Sequence, residues 1–266
     1  NKKIVLIAGP SSSGKTTFAK RLAIQLIATG KIPQVISLDD YYKNRDDVPE
    51  DSNGRKNFEN LSSLDIEQFN KDMLNLLKYQ PVDTPLYDMA TGLRKVESKK
   101  IQLEDNSILI VEGIHGINEQ LTIDIPKEDK FKIYISALTQ LNIDEHNRIA
   151  TTDNRLIRRL VRDHYFRGFD LRTTINMWPD VLAGERENIF PYQEQADAIF
   201  NSALVYELSV LKLMVEPLLF NIDRTDSTYL EARRLLNLLN SFIAIPETDV
   251  PSNSILREFI GHSCFY

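Results

Sequence analysis

The chain has 266 residues, 42% of them hydrophobic, one cysteine and a formal net charge of −6. That length and apolar content suit one large α/β domain, or one domain with appendages, and the acidic balance argues against a general nucleic-acid binder, whose partner would demand a basic surface. The lone Cys264 excludes an internal disulfide and fits a reducing, cytoplasmic setting, while no apolar run approaches the roughly 20 residues of a membrane span and the opening hydrophobic run reads as a strand followed by glycine rather than as a signal peptide.

Ile4-Val5-Leu6-Ile7-Ala8 reads as a buried strand over about residues 3–8. It runs into Gly9-Pro10-Ser11-Ser12-Ser13-Gly14-Lys15-Thr16, which fits G-x-x-x-x-G-K-[ST], and a helix over about 15–29 follows. Strand, glycine-rich loop and helix in that order make a phosphate-binding loop. Gly9 and Gly14 let the backbone curl so that the N–H groups of Ser11, Ser12, Ser13 and the residues up to Thr17 face phosphate oxygens. The helix N-terminus adds partial positive charge. Lys15 reaches the β- and γ-phosphates, and the Thr16 hydroxyl ligates Mg²⁺, so ATP and Mg²⁺ are the expected cofactors. The motif lies close enough to Asn1 to leave room for a further domain upstream.

The next strand, about 34–38, ends in Asp39-Asp40-Tyr41-Tyr42. Carboxylates at the C-terminal end of a parallel strand lie on the edge where α/β ligands bind. One aspartate there can take a proton from a substrate hydroxyl or join the Mg²⁺ shell; a solvated turn or helix cap is the alternative. Residues 40–106 then read as an insertion with a polar stretch, a helix over about 63–79 and a hairpin. Pro81 and Pro85 flank the approach to Leu86-Tyr87-Asp88, and Thr91-Gly92 supplies the turn. Such an insertion is a natural cap over a small acceptor.

The strand at 107–112 carries the near-continuous apolar run Ile108-Leu109-Ile110-Val111 and ends in Glu112-Gly113, as a Walker-B strand does with Glu in place of Asp. His115 follows and is expected to line the site. His146, His164 and His262 have no partner at metal-ligand spacing and read as structural or exposed. After a strand at 131–136 comes a helix over about 153–164, with Thr152-Asp153 as its N-cap. Leu156, Ile157, Leu160 and Val161 mark one face, and Arg155, Arg158, Arg159 and Arg162 crowd the other, with Arg167-Gly168 just beyond. So many arginines on an acidic chain predict a lid over about 152–172 that clamps phosphate, excludes water and supplies charge; a solvated charged face is the alternative. A strand at 197–201 and a helix at 203–220 complete the core. Beyond Asp223, Asp226 or Ser227 caps a helix bearing Tyr229, Leu230, Leu235, Leu236, Leu238 and Leu239, and Pro246 and Pro251 break the chain. This tail reads as packing or assembly surface, and a homo-oligomer is the partner it would suit. The element order predicts a mainly parallel sheet with helices on both sides, in a domain over 1–222 and a helical extension over 223–266.

The segments GPSSSGKT, SLDDYY, NFE, PLYD, VEG and RLIRRLVRD…RG fall in the order seen in the uridine–cytidine kinase branch of the uridine kinase and phosphoribulokinase family. Over about residues 3–220 the chain resembles that family. The resemblance implies a P-loop NTPase-type parallel sheet flanked by helices, with an inserted acceptor-binding region and an arginine-rich lid. It also implies an ATP-dependent kinase for the 5′-hydroxyl of a nucleoside. In that light Asp39 is the catalytic base, with Asp40 its less favoured neighbour, and Thr16, Asp39 and Glu112 form the Mg²⁺ set. Tyr42, Phe58 and Tyr87 would hold the base of the acceptor, and Glu59 its ribose hydroxyls. Arg159, Arg162 and Arg167 are the lid arginines that join Lys15 around the phosphates.

The base-reading positions depart from the family. Gly92 stands where relatives carry a histidine, Phe169 replaces an arginine, Met177 replaces a glutamine, and Glu59 is one methylene longer than the usual Asp. Losing groups that hydrogen-bond a substrate changes what a site accepts. The segment MWPDVLAGERENIFPYQEQAD and the long tail resemble a bacterial uridine kinase-like subgroup, some members of which carry an N-terminal domain similar to that of threonyl-tRNA synthetase. Kinases for a sugar, a sugar phosphate or pantothenate share this fold, and a nucleotide-sensing module without transfer activity is a further alternative.

Overall fold

A computed structural model describes residues 2–50, 56–89, 91–140 and 142–265. Asn1, residues 51–55 of the insertion, Ala90 beside the expected turn, Leu141 and Tyr266 lie outside the described residues. In chain order, β1 (Ile4–Ala8) leads to α1 (Lys15–Ala28) and β2 (Ile32–Ser37). The insertion holds α2 (Ile66–Leu77), β3 (Val82–Thr84), β4 (Tyr87–Asp88), β5 (Leu93–Arg94) and β6 (Lys99–Ile101). Then come β7 (Ser107–Glu112), β8 (Lys130–Ser136), α3 (Thr151–Phe166), α4 (Leu171–Asn188), β9 (Ala198–Asn201), α5 (Glu207–Phe220), α6 (Tyr229–Leu239) and α7 (Arg257–Ile260).

The contacts gather the chain into two compact units. The first comprises Asn1–Pro10, Phe18–Ile135 and Ala183–Phe200; the second comprises Ser11–Thr17, Ser136–Leu182 and Asn201–Tyr266.

The sheet runs β2-β7-β1-β8-β9, and β1 pairs parallel with both β7 and β8, as β2 does with β7. Every residue of β1 is buried, which a strand covered on both faces requires. Alternation decides which face each side chain serves. Ile4 and Leu6 of β1, with Leu109 and Val111 of β7, pack with Phe69, Met73 and Leu76 of α2. Val5 and Ile7, with Ile110, pack with Phe18, Ala19 and Leu22 of α1 on the opposite face. The predicted parallel sheet flanked by helices is therefore present.

The insertion forms a nested hairpin, in which β3 pairs antiparallel with β6 and, inside it, β4 pairs with β5. Gly92 closes the turn with φ +73° and donates its N–H to the Asp88 carbonyl at 2.8 Å. The preceding helix begins later than 63 because Asp65 caps it, accepting the Gln68 N–H at 3.1 Å.

The second unit has its own core, built from α3, α5, α6, α7 and the first part of α4. Helix α4 is absent from the expectations above. Pro179 and Gly184 within it both disfavour helix, but Leu171, Ile175, Trp178 and Val181 recur on one buried face, and their burial overrides local preference. Two caps also differ. α3 starts at Thr151 with Ala150 at its N-cap, and Asp153 binds Arg234 at 2.8 Å instead. α6 has Thr228 at its N-cap position, while Asp226 accepts the Thr228 N–H and hydroxyl. Leu235, Leu236 and Leu239 of α6 are core residues, whereas Leu230 is 80% exposed.

Candidate functional site

In the second unit, the loop residues Ser11–Thr17 rest on α3. Arg155 Nη1 donates to the Ser11 carbonyl at 3.0 Å, and Arg158 Nη1 donates to the Ser12 carbonyl at 3.2 Å. The Ser202 hydroxyl donates to the Ser13 carbonyl at 2.5 Å. Three successive carbonyls are thus held on one side. In a trans peptide each carbonyl points opposite to the next residue's N–H, and no cis bond occurs among the described residues. The N–H groups of Ser12, Ser13 and Gly14 therefore face away from the arginines, as an anion-binding loop needs. Two left-handed residues make this winding, Ser12 at φ +59° and Gly14 at φ +87°. Gly14 is doubly required, since a Cβ there would lie 2.5 Å from Cγ2 of Ile255. Lys15 and Thr16 follow as the first residues of α1.

The lid arginines do not crowd one solvated face. Arg155 and Arg158 are 1% and 0% exposed, because they scaffold the loop. Arg158 pairs with the equally buried Glu207, which also accepts from Asn154, and its guanidinium reaches the Ser202 carbonyl at 2.8 Å. Arg159 donates to the Ser11 hydroxyl at 3.0 Å and to Asp163 Oδ2 at 3.1 Å. Arg162 takes the other oxygen, Oδ1, at 2.9 Å, and Arg167 lies 3.9 Å from it. One buried carboxylate, that of Asp163, thus gathers all three predicted lid arginines, Arg159, Arg162 and Arg167.

In the first unit, the sheet edge holds the carboxylates. Ser37, at the end of β2, is in register with Glu112, which is in register with Ile7 of β1, two residues before Gly9. Glu112 is 6% exposed and accepts from the Ser37 hydroxyl at 3.2 Å. The same hydroxyl oxygen accepts the Asp39 N–H at 3.3 Å, so Ser37 links the two predicted carboxylate positions. Asp40 is committed elsewhere: its Oδ1 accepts the Tyr87 N–H at 3.1 Å, and burial raises its pKa. No side-chain hydrogen bond among the described residues holds the Asp39 carboxylate.

Tyr42, at the end of the turn after Asp39, gathers the other aromatic positions from the insertion. Tyr42 lies 5.6 Å from Tyr87 and 6.3 Å from Phe58, centroid to centroid, and its hydroxyl donates to the Phe58 carbonyl at 3.2 Å. Burial first, then the nearby Asp39 and Glu59 charges, push the Tyr42 phenol well above its ordinary pKa, so it remains a neutral donor. Arg94 of β5 fixes this turn from the hairpin, donating to the Tyr42 carbonyl at 2.9 Å, the Tyr41 carbonyl at 3.3 Å and Asp65 at 3.2 Å. Glu59 packs against Gly184, where an added Cβ would come within 2.4 Å of the Glu59 Cβ. His115 is fully buried, and neither ring nitrogen forms a well-aligned hydrogen bond. Burial lowers its pKa to about 4, against a partial opposing pull from the Glu59 backbone, so the ring is neutral at pH 7.

Arg94, Gly184, Ser202 and Glu207 were missed in the sequence, and Ser37 and Asp163, though inside the quoted motifs SLDDYY and RLIRRLVRD, were given no role of their own. Only Ser37 had a local signal, a hydroxyl residue two positions before an aspartate at a strand end. Among the described residues no group of three or more His, Cys, Asp or Glu forms a metal site of its own. The hard oxygen donors at the sheet edge instead fit a magnesium ion that arrives with phosphates and keeps waters, rather than one held in a protein cage. No helix among the described residues is long and apolar enough to cross a membrane.

Residues 4–209 match the profile of the Phosphoribulokinase / Uridine kinase family. The chain is 32% identical over 215 residues to a uridine kinase of Borrelia garinii subsp. bavariensis, covering 78% of this chain and 92% of that protein. It is 30% identical over 197 residues to a uridine kinase of Lactobacillus johnsonii, covering 74% and 84%. A solved structure described as a possible uridine kinase from Bacillus stearothermophilus aligns with 18% identity and a TM-score of 0.49, covering 76% of this chain and 89% of that one.

Proposed function

Because this chain belongs to the phosphoribulokinase / uridine kinase family, we propose that it is a kinase that moves the terminal phosphoryl group of ATP to a hydroxyl of a nucleoside. Phosphoryl transfer to an alcohol follows from the family. The nucleoside is supported above all by one observation: Tyr87 of β4 and Phe58 of the insertion pack around Tyr42, which ends the short turn that begins beside Asp39. Aromatic faces beside a proton acceptor suit a flat base joined to a ribose hydroxyl.

The loop amides and Lys15 hold the triphosphate, and α3 keeps those amides in place by binding the loop carbonyls. Asp39 takes the proton from the acceptor hydroxyl; Asp40 is less suited, because its carboxylate already accepts the Tyr87 N–H. Arg159 and Arg162, oriented by Asp163, supply positive charge for the moving phosphoryl group. Magnesium would be held by the Thr16 hydroxyl, Asp39 and Glu112, and when bound it neutralises charge on the phosphate oxygens. Glu59 offers a carboxylate for the ribose hydroxyls.

A second reading, a kinase for a sugar, a sugar phosphate or pantothenate, is favoured by the altered positions. Gly92 has no side chain to read a base, and Phe169 and Met177 are apolar and 43% and 42% exposed. ADP release measured against uridine, cytidine, ribose, ribulose 5-phosphate and pantothenate separates the two. Release driven by nucleosides supports the proposal, and release driven only by another acceptor favours the second reading. ADP binding with no acceptor-dependent release overturns both.

A further inference from the structure

The segment that carries α7 touches the phosphate-binding loop at two points and supports it at a third through Arg158, all within the second unit. Glu258 Oε2 accepts the Thr17 N–H at 2.9 Å. Ile255 fills the space beside Gly14, with its Cγ2 2.5 Å from where a Cβ would stand. Phe259 lies under Arg158, 4.9 Å from guanidinium carbon to ring centroid, and Arg158 in turn holds the Ser12 carbonyl. We propose that this segment is an autoinhibitory strap, in which the Glu258 carboxylate takes a loop donor that a nucleotide phosphate must recover.

Thr17 is the third residue of α1. The first four N–H groups of a helix have no intrahelical partner, and in a loop of this kind they are the donors offered to the α- and β-phosphates. A carboxylate on such a donor does chemically what a phosphate oxygen does: it accepts a charge-assisted hydrogen bond at the positive end of the helix. The two anions compete for one N–H and also repel each other at close range.

The strap is seated as part of the second unit's core, and the contact that would have to open is the one made by Glu258. Leu256, Phe259 and Ile260 are buried, and Arg257 donates to the Val250 carbonyl at 2.6 Å and the Glu247 carbonyl at 2.8 Å, which makes 247–260 one folded piece. That piece is bounded by Pro246 and by Gly261, the latter at φ +81° and packed against Phe166. Glu258 itself is only part-buried. A protein shared between strapped and open forms binds nucleotide more weakly in proportion to the strapped fraction.

The proposal rests on the reading that the loop takes a nucleotide, and one titration tests the two separately. Magnesium ADP is titrated calorimetrically into the wild-type chain, Glu258→Gln and Glu258→Ala. The expected result is roughly tenfold tighter binding for Glu258→Ala, with Glu258→Gln between it and the wild type, since a neutral amide oxygen is the weaker acceptor. In the wild type, which needs no variant to fold, bound ADP should speed amide hydrogen exchange across 254–261. Equal or weaker binding by both variants overturns the strap while leaving the loop reading intact, as does exchange that is unchanged or slowed. No ADP binding by any of the three proteins overturns the loop reading and the strap with it.

Discussion

Glu207 neutralises Arg158 in an ion pair whose side chains are 2% and 0% exposed, and the same arginine carries the loop residue Ser12 and the Ser202 carbonyl. A phosphate-binding loop is therefore braced by a charge pair in the interior of the second unit. Removing one partner leaves the other charge buried and uncompensated. Glu207→Ala should lower unfolding free energy by about 3–5 kcal/mol. Urea denaturation followed by circular dichroism checks this, and a loss under ~1 kcal/mol would mean that the pair is solvated in practice.

Asp39 and Asp40 are adjacent, but only Asp40 has its carboxylate committed to a backbone N–H. Asp39→Asn should retain nucleotide affinity and lose turnover by at least about 10²-fold, the range of a general base. Asp40→Asn should act on hairpin placement and raise acceptor KM more than it lowers kcat. Steady-state kinetics with both variants makes the comparison. Equal kcat for Asp39→Asn and wild type would remove Asp39 from the chemistry.

Asp163 anchors Arg159 and Arg162, the proposed phosphoryl-binding arginines, with one carboxylate oxygen to each. In Asp163→Ala the two guanidiniums lose their common anchor, and displacement of a reacting-site group by about 1 Å can cost 10²-fold. The expected signature is a fall in kcat with nearly constant acceptor KM, whereas a stability defect alone would reduce the amount of active enzyme and leave kcat per active site unchanged. Active-site titration alongside the kinetics distinguishes them.

His115 makes stability depend on pH. Its pKa is lowered to about 4 in the folded chain, against 6.5 for the free side chain. The unfolded state therefore binds the proton first, and stability present above pH 6.5 is lost as the pH falls toward 4. The loss approaches about 3 kcal/mol once the pH is below both values. Urea denaturation at pH 7, 5.5 and 4.5 should show a shallower acid loss in His115→Gln than in the wild type. Parallel profiles for the two proteins would refute the assignment.

Local patterns made the sheet legible. The apolar run at 108–111 places β7 at 107–112 as expected, because a strand covered on both faces has no polar positions to blur its limits. The loop at 9–16 was equally plain, since its glycines and Lys15 serve chemistry that few other patterns need. What stayed hidden depends on distance along the chain. Arg158 looked like one of a row of surface charges; its burial is set by Ser12 and Glu207, 146 and 49 residues away. Helix α4 was concealed by Pro179 and Gly184, whose local preferences only packing can override. The partner of the Thr17 N–H, Glu258, stands 241 residues away and carries no motif at all.

The pairing of β1 sets a timetable for synthesis. Leu6 lies against Val111 on one side and Lys132 on the other, so the earliest strand of the sheet has neighbours more than a hundred residues downstream. At a ribosomal rate of about 5–20 residues per second, β1 waits many seconds as an uncovered apolar strand before either neighbour emerges. Such long-range closure slows folding and exposes the nascent chain to self-association, which makes this segment a natural client for chaperones during translation.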